Sequence, residues 1–266
     1  MTDHLLRRHA PISDSAWELL DQEARARLAP ALAARKLIDF SGPFGWEHSA
    51  TNVGRTSPLP EQFPGVTGLQ RRVLPLVEAR ADFELARDEL RDADRGADDV
   101  DLGALDTAAH QIAATENAAV FHGWEGAIVG ICEASPHDQM ALGENPAEYP
   151  SRVAGAVGRL LESGIAGPYG LALGPEQYRH VVETTEHGGY PLVAHLSKLV
   201  EGPIVWTPGI NGAVVISLRG GDFLFESGQD LSVGYQSHSN ETVSFYLEES
   251  FSFHVATPEA AVPFAP

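Results

Sequence analysis

Residues 219–253 alternate apolar and polar side chains in short windows that are separated by glycines. The windows are Arg219–Phe223, Gly228–Tyr235 and Phe245–Phe253. Such alternation is typical of half-buried antiparallel strands, and glycine supplies the positive φ that tight turns between them require. The segment contains no recognisable catalytic motif, so the pattern predicts a β scaffold.

Composition narrows the classes of protein that this chain can belong to. With 266 residues, 43% of them hydrophobic, it can build a sizeable core as one large domain or two small ones. No apolar run approaches the roughly 20 residues that cross a bilayer, and no apolar stretch follows Arg7 and Arg8 as in a signal peptide. We therefore expect a cytoplasmic protein with no membrane partner. The single cysteine, Cys132, excludes an internal disulfide and a cysteine-based zinc site.

The formal charge of −19 repels phosphate backbones, and the nearest basic stretch, Arg71-Arg72, is short. No nucleic-acid partner is therefore expected.

The acidic residues from Asp92 to Asp101 suggest a calcium-binding loop, but the twelfth position of such a loop is Gly103 rather than a bidentate carboxylate. We interpret them as a solvated helix-capping cluster and expect no metal. No HExxH, GxSxG, Walker A or GxGxxG motif is present. No catalytic residue is predicted, although a triad assembled from distant residues stays open.

Periodicity predicts the main elements. A first helix is capped by Ser13 or Ser15, and Pro30 should kink or restart it. A short strand over Lys36–Phe40 follows, then an extended excursion without helical periodicity over Ala50–Gln70 and a strand over Val73–Leu85. Asp101 should start a long helix. The remaining expected elements are a helix through Val153 and Leu160, a strand at Tyr169–Leu173, a helix opened by Pro175, a turn near His187–Gly189 and a helix through Leu196 and Leu199.

Several short motifs occur in order along the chain: Ala10–Ser13 leading into Trp17, Gly42–Glu47, Arg95-Gly96, Gly167–Tyr169, Glu186–Pro191 and the C-terminal windows. In this order and spacing the chain resembles the encapsulin shell proteins over nearly its full length. The resemblance implies an α+β fold of the tailed-phage major capsid, or Hong Kong 97, type. The implied divisions are an N-terminal helix and first strand (1–48), an extended loop (49–72), a peripheral domain with the long helix (73–133), an axial domain (134–208) and C-terminal strands that return to the peripheral domain and the base of the extended loop (209–266).

The resemblance implies a structural function. Many copies would close an icosahedral shell that encloses a cargo enzyme, a ferritin-like iron oxidase or a dye-decolourising peroxidase, and admits small solutes through pores. The cargo would carry a C-terminal targeting peptide. The alternatives are a bacteriocin-like or peptidase activity, because family members have carried such labels, and a viral or prophage capsid protein. The acidic charge favours the compartment over a capsid that packages DNA.

By resemblance, the cargo peptide would bind in a groove with apolar pockets flanked by one charge of each sign. Its residues are Leu28, Leu32, Arg35, Asp39, Leu231 and Tyr235. An extended peptide with alternate apolar anchors suits such a groove. The alternative is that Leu28 and Leu32 only pack the first helix onto its own subunit.

The resemblance also implies a pore at the five-fold axis, lined by a polar turn with Glu186, His187, Gly188 and Gly189. A ring of histidines would titrate over a broad range because protonation of one disfavours protonation of the next. The alternative is an exposed histidine without effect on flux. No cofactor is expected: Asp88 stands where some relatives place an aromatic side chain, and it is a poor stacking partner for a flavin.

Overall fold

A computed structural model of the chain describes residues 4–186 and 188–265. The helices are α1 (Asp14–Ala31), α2 (Arg87–Asp94), α3 (Gly103–His122), α4 (Ile131–Ala134), α5 (Tyr149–Glu162), α6 (Pro175–Glu183) and α7 (Leu192–Val200). The strands are β1 (Asp39–Ser41), β2 (Ala50–Leu59), β3 (Gly68–Pro75), β4 (Val77–Ala86), β5 (Met140–Ala141), β6 (Tyr169–Leu173), β7 (Ile204–Trp206), β8 (Ala213–Ser217), β9 (Phe223–Ser227), β10 (Ser232–His238), β11 (Thr242–Val255) and β12 (Ala261–Ala265).

The first sheet is built around β11, which pairs antiparallel with β4, β9 and β10, while β1 runs parallel to β9. Because side chains alternate along a strand, Phe245, Phe251 and Phe253 share one face of β11, and all three are buried. Helix α3 packs on β4 and β11, and the Trp17 ring of α1 meets Phe245 edge to face at 5.5 Å. Glu249 falls in the same buried row and is its polar exception.

The second sheet has the order β5-β12-β8-β6-β7, and every residue of β6 and β8 is buried. Helices α5, α6 and α7 lie in the same part of the chain, and the expected strand at Tyr169–Leu173 and the two helices after it are present. Strands β8 and β12 come from beyond residue 208, where the predicted axial domain ends, and they pair with each other and with this sheet. Strands β9, β10 and β11, which also come from beyond residue 208, join the first sheet.

The expected extended excursion is a regular hairpin. Strands β2 and β3 pair from Ala50 opposite Pro75 to Leu59 opposite Gly68, with a register shift between Asn52 and Arg55. This two-stranded sheet is separate from the other two. Its strands contain proline and small polar residues, which a lone edge-type ribbon tolerates because half of its N–H groups face solvent.

The start of the chain agrees with the predicted helix in outline. Ser13 caps α1 by accepting a hydrogen bond from the Ala16 N–H, so Ser15 is not the cap. The expected break at Pro30 does not occur, because Pro30 lies in the last turn and α1 ends one residue later. A short 3-10 turn over Ala34–Lys36 then occupies the first part of the predicted strand, and β1 begins only at Asp39.

Candidate functional site

Arg35, a predicted cargo-site residue, forms the centre of a buried ion cluster. Its Nε donates to Glu116 Oε2 at 2.8 Å, its Nη1 to Asp230 Oδ1 at 2.7 Å and its Nη2 to Glu249 Oε2 at 2.9 Å. Only 15% of the Arg35 side chain is exposed, and its guanidinium also lies 4.8 Å from the centre of the Phe40 ring. The cluster joins the end of α1 to α3, to β11 and to the turn before β10.

Burial and charge shape the protonation of this cluster. Burial raises the pKa of Glu249 well above its usual range, and the neighbouring Glu116 carboxylate raises it further, although Arg35 opposes both effects. Burial lowers the pKa of Arg35, but the surrounding carboxylates, led by Glu116, raise it more in total. Glu116 and Glu249 each keep one buried Oε1 without a hydrogen-bond partner in the described structure. The cluster therefore contains three carboxyl groups and one guanidinium, and that guanidinium already binds all three.

Asn117 holds the corner of the chain that carries Arg35. Its Oδ1 accepts from the N–H groups of Ala33 and Ala34 at 3.1 and 2.9 Å, and its Nδ2 donates to the carbonyls of Ala31 and Pro208 at 2.8 and 2.9 Å. Sequence reasoning missed both this residue and Glu116. The available signal was helical spacing, because residues 116 and 117 follow Ile112 and Ala113 by one turn on the buried stripe of α3.

Asp39 has different partners from Arg35. Its Oδ2 accepts a hydrogen bond from the Gly221 N–H at 2.6 Å, which anchors the turn between β8 and β9. Asp39 also lines a cavity of about 210 Å³ together with Lys36, Pro203 and Phe223. The two charges that were predicted to flank one groove thus bind separate parts of the subunit.

The three leucines predicted for the groove differ in exposure. Leu28 is buried in the core, whereas Leu32 and Leu231 are half-buried beside it. Leu231 follows Asp230, whose carboxylate accepts from both the Leu231 N–H and Arg35. Leu231 and the turn after α1 are therefore joined through Arg35.

Tyr235 belongs to a cavity of about 390 Å³ near the start of the described chain. Its N–H donates to the Leu5 carbonyl at 2.9 Å, and its hydroxyl pairs with His238. The wall of this cavity includes His4 stacked on Trp46, with ring centres 4.3 Å apart. Sequence analysis did not identify this cavity, because its lining comes from strands that are far apart in the chain.

A stacked tyrosine forms one side of the same cavity. The Arg80 guanidinium lies 3.7 Å from the centre of the Tyr246 ring, and the Tyr246 hydroxyl donates to the His4 carbonyl at 3.2 Å. The ring also lies across Gly234, where an added Cβ would come within 2.2 Å of Tyr246 Cζ. Burial raises the pKa of the nearby Glu248, against the lowering effect of Arg80.

The predicted pore turn lies between α6 and α7, and His187 falls outside the described residues. Glu186 Oε1 lies 2.9 Å from Nδ1 of His195, which is within hydrogen-bonding distance. The Glu186 N–H donates to the Tyr190 carbonyl at 2.8 Å, and the Gly189 N–H donates to the Glu186 carbonyl at 2.9 Å. Gly188 and Gly189 have φ of +94° and +80°, so the turn requires their freedom. The base of the turn is held, and His195 is a residue that sequence analysis missed.

Comparison with known proteins decides the family. A family model described as an encapsulating protein for peroxidase matches residues 1–252. The chain belongs to this family. The type 1 encapsulin shell protein of Rhodospirillum rubrum is 45% identical, with 97% of this chain and 95% of that protein covered. The protein of the same name from Mycolicibacterium paratuberculosis is 39% identical, with 98% of each chain covered.

A more distant member of the encapsulin family joins two functions in one chain. It is named a ferritin-like-encapsulin shell fusion protein, comes from Pyrococcus furiosus, and is 28% identical over 36% of this chain and 29% of its own length. The named relatives are shell proteins, and the Pyrococcus furiosus fusion protein also carries a ferritin-like part.

Solved structures confirm the predicted α+β capsid fold. The virus-like particle of Pyrococcus furiosus aligns with a TM-score of 0.65 at 20% identity, covering 92% of this chain and 98% of that chain. The capsid of an empty GTA particle aligns with a TM-score of 0.54 at 13% identity, covering 88% and 96%.

Two kinds of feature are absent from the part of the chain that the structure describes. Within residues 4–186 and 188–265, no helix combines the length and apolar character that crossing a membrane requires. Within the same residues, no group of three or more His, Cys, Asp or Glu side chains is placed to hold a metal ion. The roles predicted for the groove and the pore turn stay predictions.

Proposed function

We propose that this chain is the shell subunit of a closed icosahedral compartment that assembles from many copies of itself in the cytoplasm. Its role is mechanical and selective, and it catalyses no reaction. Membership of the encapsulin family and the capsid fold support the proposal. The single observation that carries it in this structure is the hairpin β2–β3, whose tip exposes large apolar side chains to solvent.

The tip of the hairpin is unusually apolar for a surface. Phe63 is 70% exposed, Leu69 64%, Val66 61% and Leu59 47%. An isolated two-stranded hairpin is marginally stable in water, and it normally needs a further strand or a packed face. A neighbouring copy that covers this tip would remove the apolar surface from water and hold the hairpin in place.

Purification of the protein by size tests the proposal. The wild-type protein should form hollow closed particles without cargo, visible by electron microscopy and analytical ultracentrifugation. Deletion of residues 56–68 should give small oligomers or aggregates, since it removes the apolar tip. Intact shells from the deletion variant would show that the hairpin does not join the subunits, and a monomeric wild-type protein would reject the shell itself.

We further propose that cargo enzymes bind inside the shell through a C-terminal targeting peptide. The half-buried Leu32 and Leu231 are available for apolar anchors, and Arg35 fixes the turn on which Leu32 lies. The ferritin-like part of the fusion relative supports a ferritin-like iron oxidase as one cargo class, and a dye-decolourising peroxidase is the other.

Co-expression with a tagged reporter protein tests this binding. Asp39→Ala combined with Leu231→Asp should leave shells intact and empty, because Leu231→Asp replaces an apolar anchor by a charge and Asp39→Ala removes the negative charge predicted beside the groove. The single variant Asp39→Ala shows how much of the effect comes from Asp39, whose carboxylate binds the Gly221 N–H in the folded subunit. Equal loading of the wild type and the double variant would remove this groove from consideration.

The remaining parts of the proposal concern what the shell excludes and admits. Small solutes would pass at the turn of Glu186, Gly188 and Gly189, and neither flavin, metal nor nucleic acid is required.

The competing function from another class is a peptidase. Purified shells should hydrolyse no casein and react with no serine- or cysteine-directed inhibitor, whereas an inhibitor-sensitive activity that co-purifies with the particle would favour the peptidase.

A further inference from the structure

Charge is distributed very unevenly between the hairpin and the rest of the subunit. Residues 50–75 contain three arginines, Arg55, Arg71 and Arg72, and one acidic residue, Glu61, for a net charge of +2. The whole chain has a net charge of −19, so the rest of it has −21. The hairpin is thus a cationic element on a strongly anionic subunit.

Two of the arginines lie directly opposite each other. Arg55 pairs with Arg72 in the register of β2 and β3, and both side chains are exposed. Opposite residues have Cβ atoms about 5 Å apart, and like charges in such a pair repel each other. Within residues 4–186 and 188–265, neither Arg55 nor Arg72 takes part in a salt bridge. Acidic groups from outside the subunit would relieve this repulsion.

The hairpin is anchored at one end. At its base, His48 Nε2 lies 3.3 Å from Glu226, and Thr51 bonds to Glu226 and to Ser252. A strand as long as the 10-residue β2 spans about 33 Å. The arginine pair therefore lies between the anchored base of the hairpin and its exposed apolar tip.

A second copy of the same chain offers a complementary surface. Residues 88–101, here the acidic segment, contain seven acidic residues and two arginines, for a net charge of −5. Several of these carboxylates have partners in their own subunit: Asp88 binds Arg91, Asp92 binds Arg95, and Asp101 accepts a hydrogen bond from the Gly103 N–H. Asp98 and Asp99 are exposed and form no ion pair among the described residues.

We propose that the Arg55–Arg72 pair docks on the acidic segment of a second copy of this chain, with Asp98 and Asp99 as the principal acceptors. The proposal rests on the proposed self-assembly and adds the chemistry that selects the contact. Burial of the apolar tip stabilises the contact without selecting a particular surface. The arginine pair selects the surface on which the hairpin docks. Arginine suits this role because its planar guanidinium binds carboxylates through two parallel hydrogen bonds.

Charge reversal tests the contact with few side effects on the hairpin itself. The variant Arg55→Glu with Arg72→Glu replaces one like-charged pair by another, so repulsion within the hairpin is matched and only the sign presented to a partner changes. The complementary variant is Asp98→Arg with Asp99→Arg. The control is Arg25→Glu with Arg179→Glu, which makes the same change in net charge at exposed positions outside the hairpin. Particle formation is measured by sedimentation, and circular dichroism confirms that each subunit folds.

Each reversal alone should lower the assembled fraction by about tenfold, and the combination of all four changes should restore it, because opposite signs again face each other. The control should assemble as the wild type does. A milder variant, Arg55→Gln with Arg72→Gln, serves if reversal prevents folding. Wild-type assembly should weaken between about 50 mM and about 1 M NaCl, since the screening length shortens from about 14 Å to about 3 Å over that range, and this variant should lose that salt dependence.

The outcomes separate this proposal from the shell itself. Wild-type particles together with unaffected reversal variants would overturn the arginine contact and leave the shell proposal intact. Failure of the four-change variant to reassemble would overturn the acidic segment as the acceptor. An absorbance ratio showing nucleic acid in wild-type particles, lost in the Arg55→Glu and Arg72→Glu variant, would overturn the second copy as the partner. A wild-type protein that never assembles would reject the proposed function.

Discussion

The Arg35 guanidinium lies 2.6 Å from the Glu116 carboxylate, which α3 holds entirely out of contact with solvent. Glu249, 1% exposed, completes the buried part of the cluster, and the partly exposed Asp230 closes it. One cation therefore faces three carboxylates at the meeting point of α1, α3 and the first sheet. Arg35 offsets part of this negative charge, and burial together with the Glu116 carboxylate raises the pKa of Glu249.

Loss of Arg35 should be costly. Arg35→Met should lower the free energy of unfolding by about 3–5 kcal/mol, because removal of one partner of a buried ion pair leaves uncompensated charge. The measurement is urea unfolding of the subunit followed by tryptophan fluorescence. The control is Arg8→Met, at an exposed position near the N-terminus. Equal unfolding midpoints for Arg35→Met and the wild type would show that the cluster does not stabilise the fold.

Glu249 should make stability depend on pH. Its pKa is raised in the folded state, so its favourable contribution is complete below the ordinary carboxyl pKa and is lost as pH rises through the raised value. Glu249→Gln keeps the shape and removes the ionisation. Its stability relative to the wild type should therefore increase as pH rises from about 4 toward about 8, where an ordinary glutamate is ionised.

Thermal unfolding midpoints measured across that pH range provide the readout. Glu125→Gln, at an exposed glutamate, is the matched control and should follow the wild-type profile. Parallel pH profiles for Glu249→Gln and the wild type would contradict a raised pKa of the Glu249 carboxyl.

Gly234 should be required for the position of the Tyr246 ring. Gly234→Ala places a Cβ against that ring, so the stack on Arg80 and the bond to the His4 carbonyl must be displaced. We expect a loss of about 1–3 kcal/mol, typical of overpacking. The N-terminal segment should also become more sensitive to trypsin at Arg7 and Arg8.

The matched control for this substitution lies in a helix. Gly158 in α5 has nothing within 4 Å of an added Cβ, so Gly158→Ala should leave stability unchanged or raise it by about 0.5–1 kcal/mol. Unaltered proteolysis of the Gly234→Ala variant would show that Tyr246 does not hold the N-terminal segment.

The sequence predicted local structure far better than long-range pairing. Strand β6 and helices α6 and α7 follow from periodicity and from Pro175, because their signals lie within a few residues. The membership of β8 and β12 in the second sheet is decided by hydrogen bonds between distant segments, which composition does not encode. The hairpin was predicted as an extended segment because its prolines hid the strand pattern.

The candidate groove shows the same limit. Leu32, Arg35 and Leu231 could be named from the family resemblance, but the partners of Arg35 could not. Glu116 is 81 residues away in the chain and Glu249 is 214 residues away. Only the folded arrangement shows that Arg35 is held by core carboxylates.

The turn after α6 should select solutes by charge if it lines a pore. Symmetry would place one copy of Glu186 from each subunit around the axis, and a ring of carboxylates concentrates cations at a narrow opening. Glu186→Gln should therefore slow the uptake of a small cationic probe into preformed shells, by about two- to tenfold at low ionic strength, and speed the uptake of an anionic one.

The Glu186→Gln variant also removes the carboxylate that lies 2.9 Å from His195, so a separate His195→Gln variant reports on the loss of that contact alone. Stopped-flow fluorescence of a quencher that enters shells loaded with a reporter gives the rates. Glu183→Gln, at the end of α6, is the control for net charge. His187→Ala, compared at about pH 5.5 and about pH 8 on either side of the ordinary histidine pKa, tests the predicted pH gating. Cation and anion rates that are unchanged in Glu186→Gln would place the passage of solutes elsewhere on the shell.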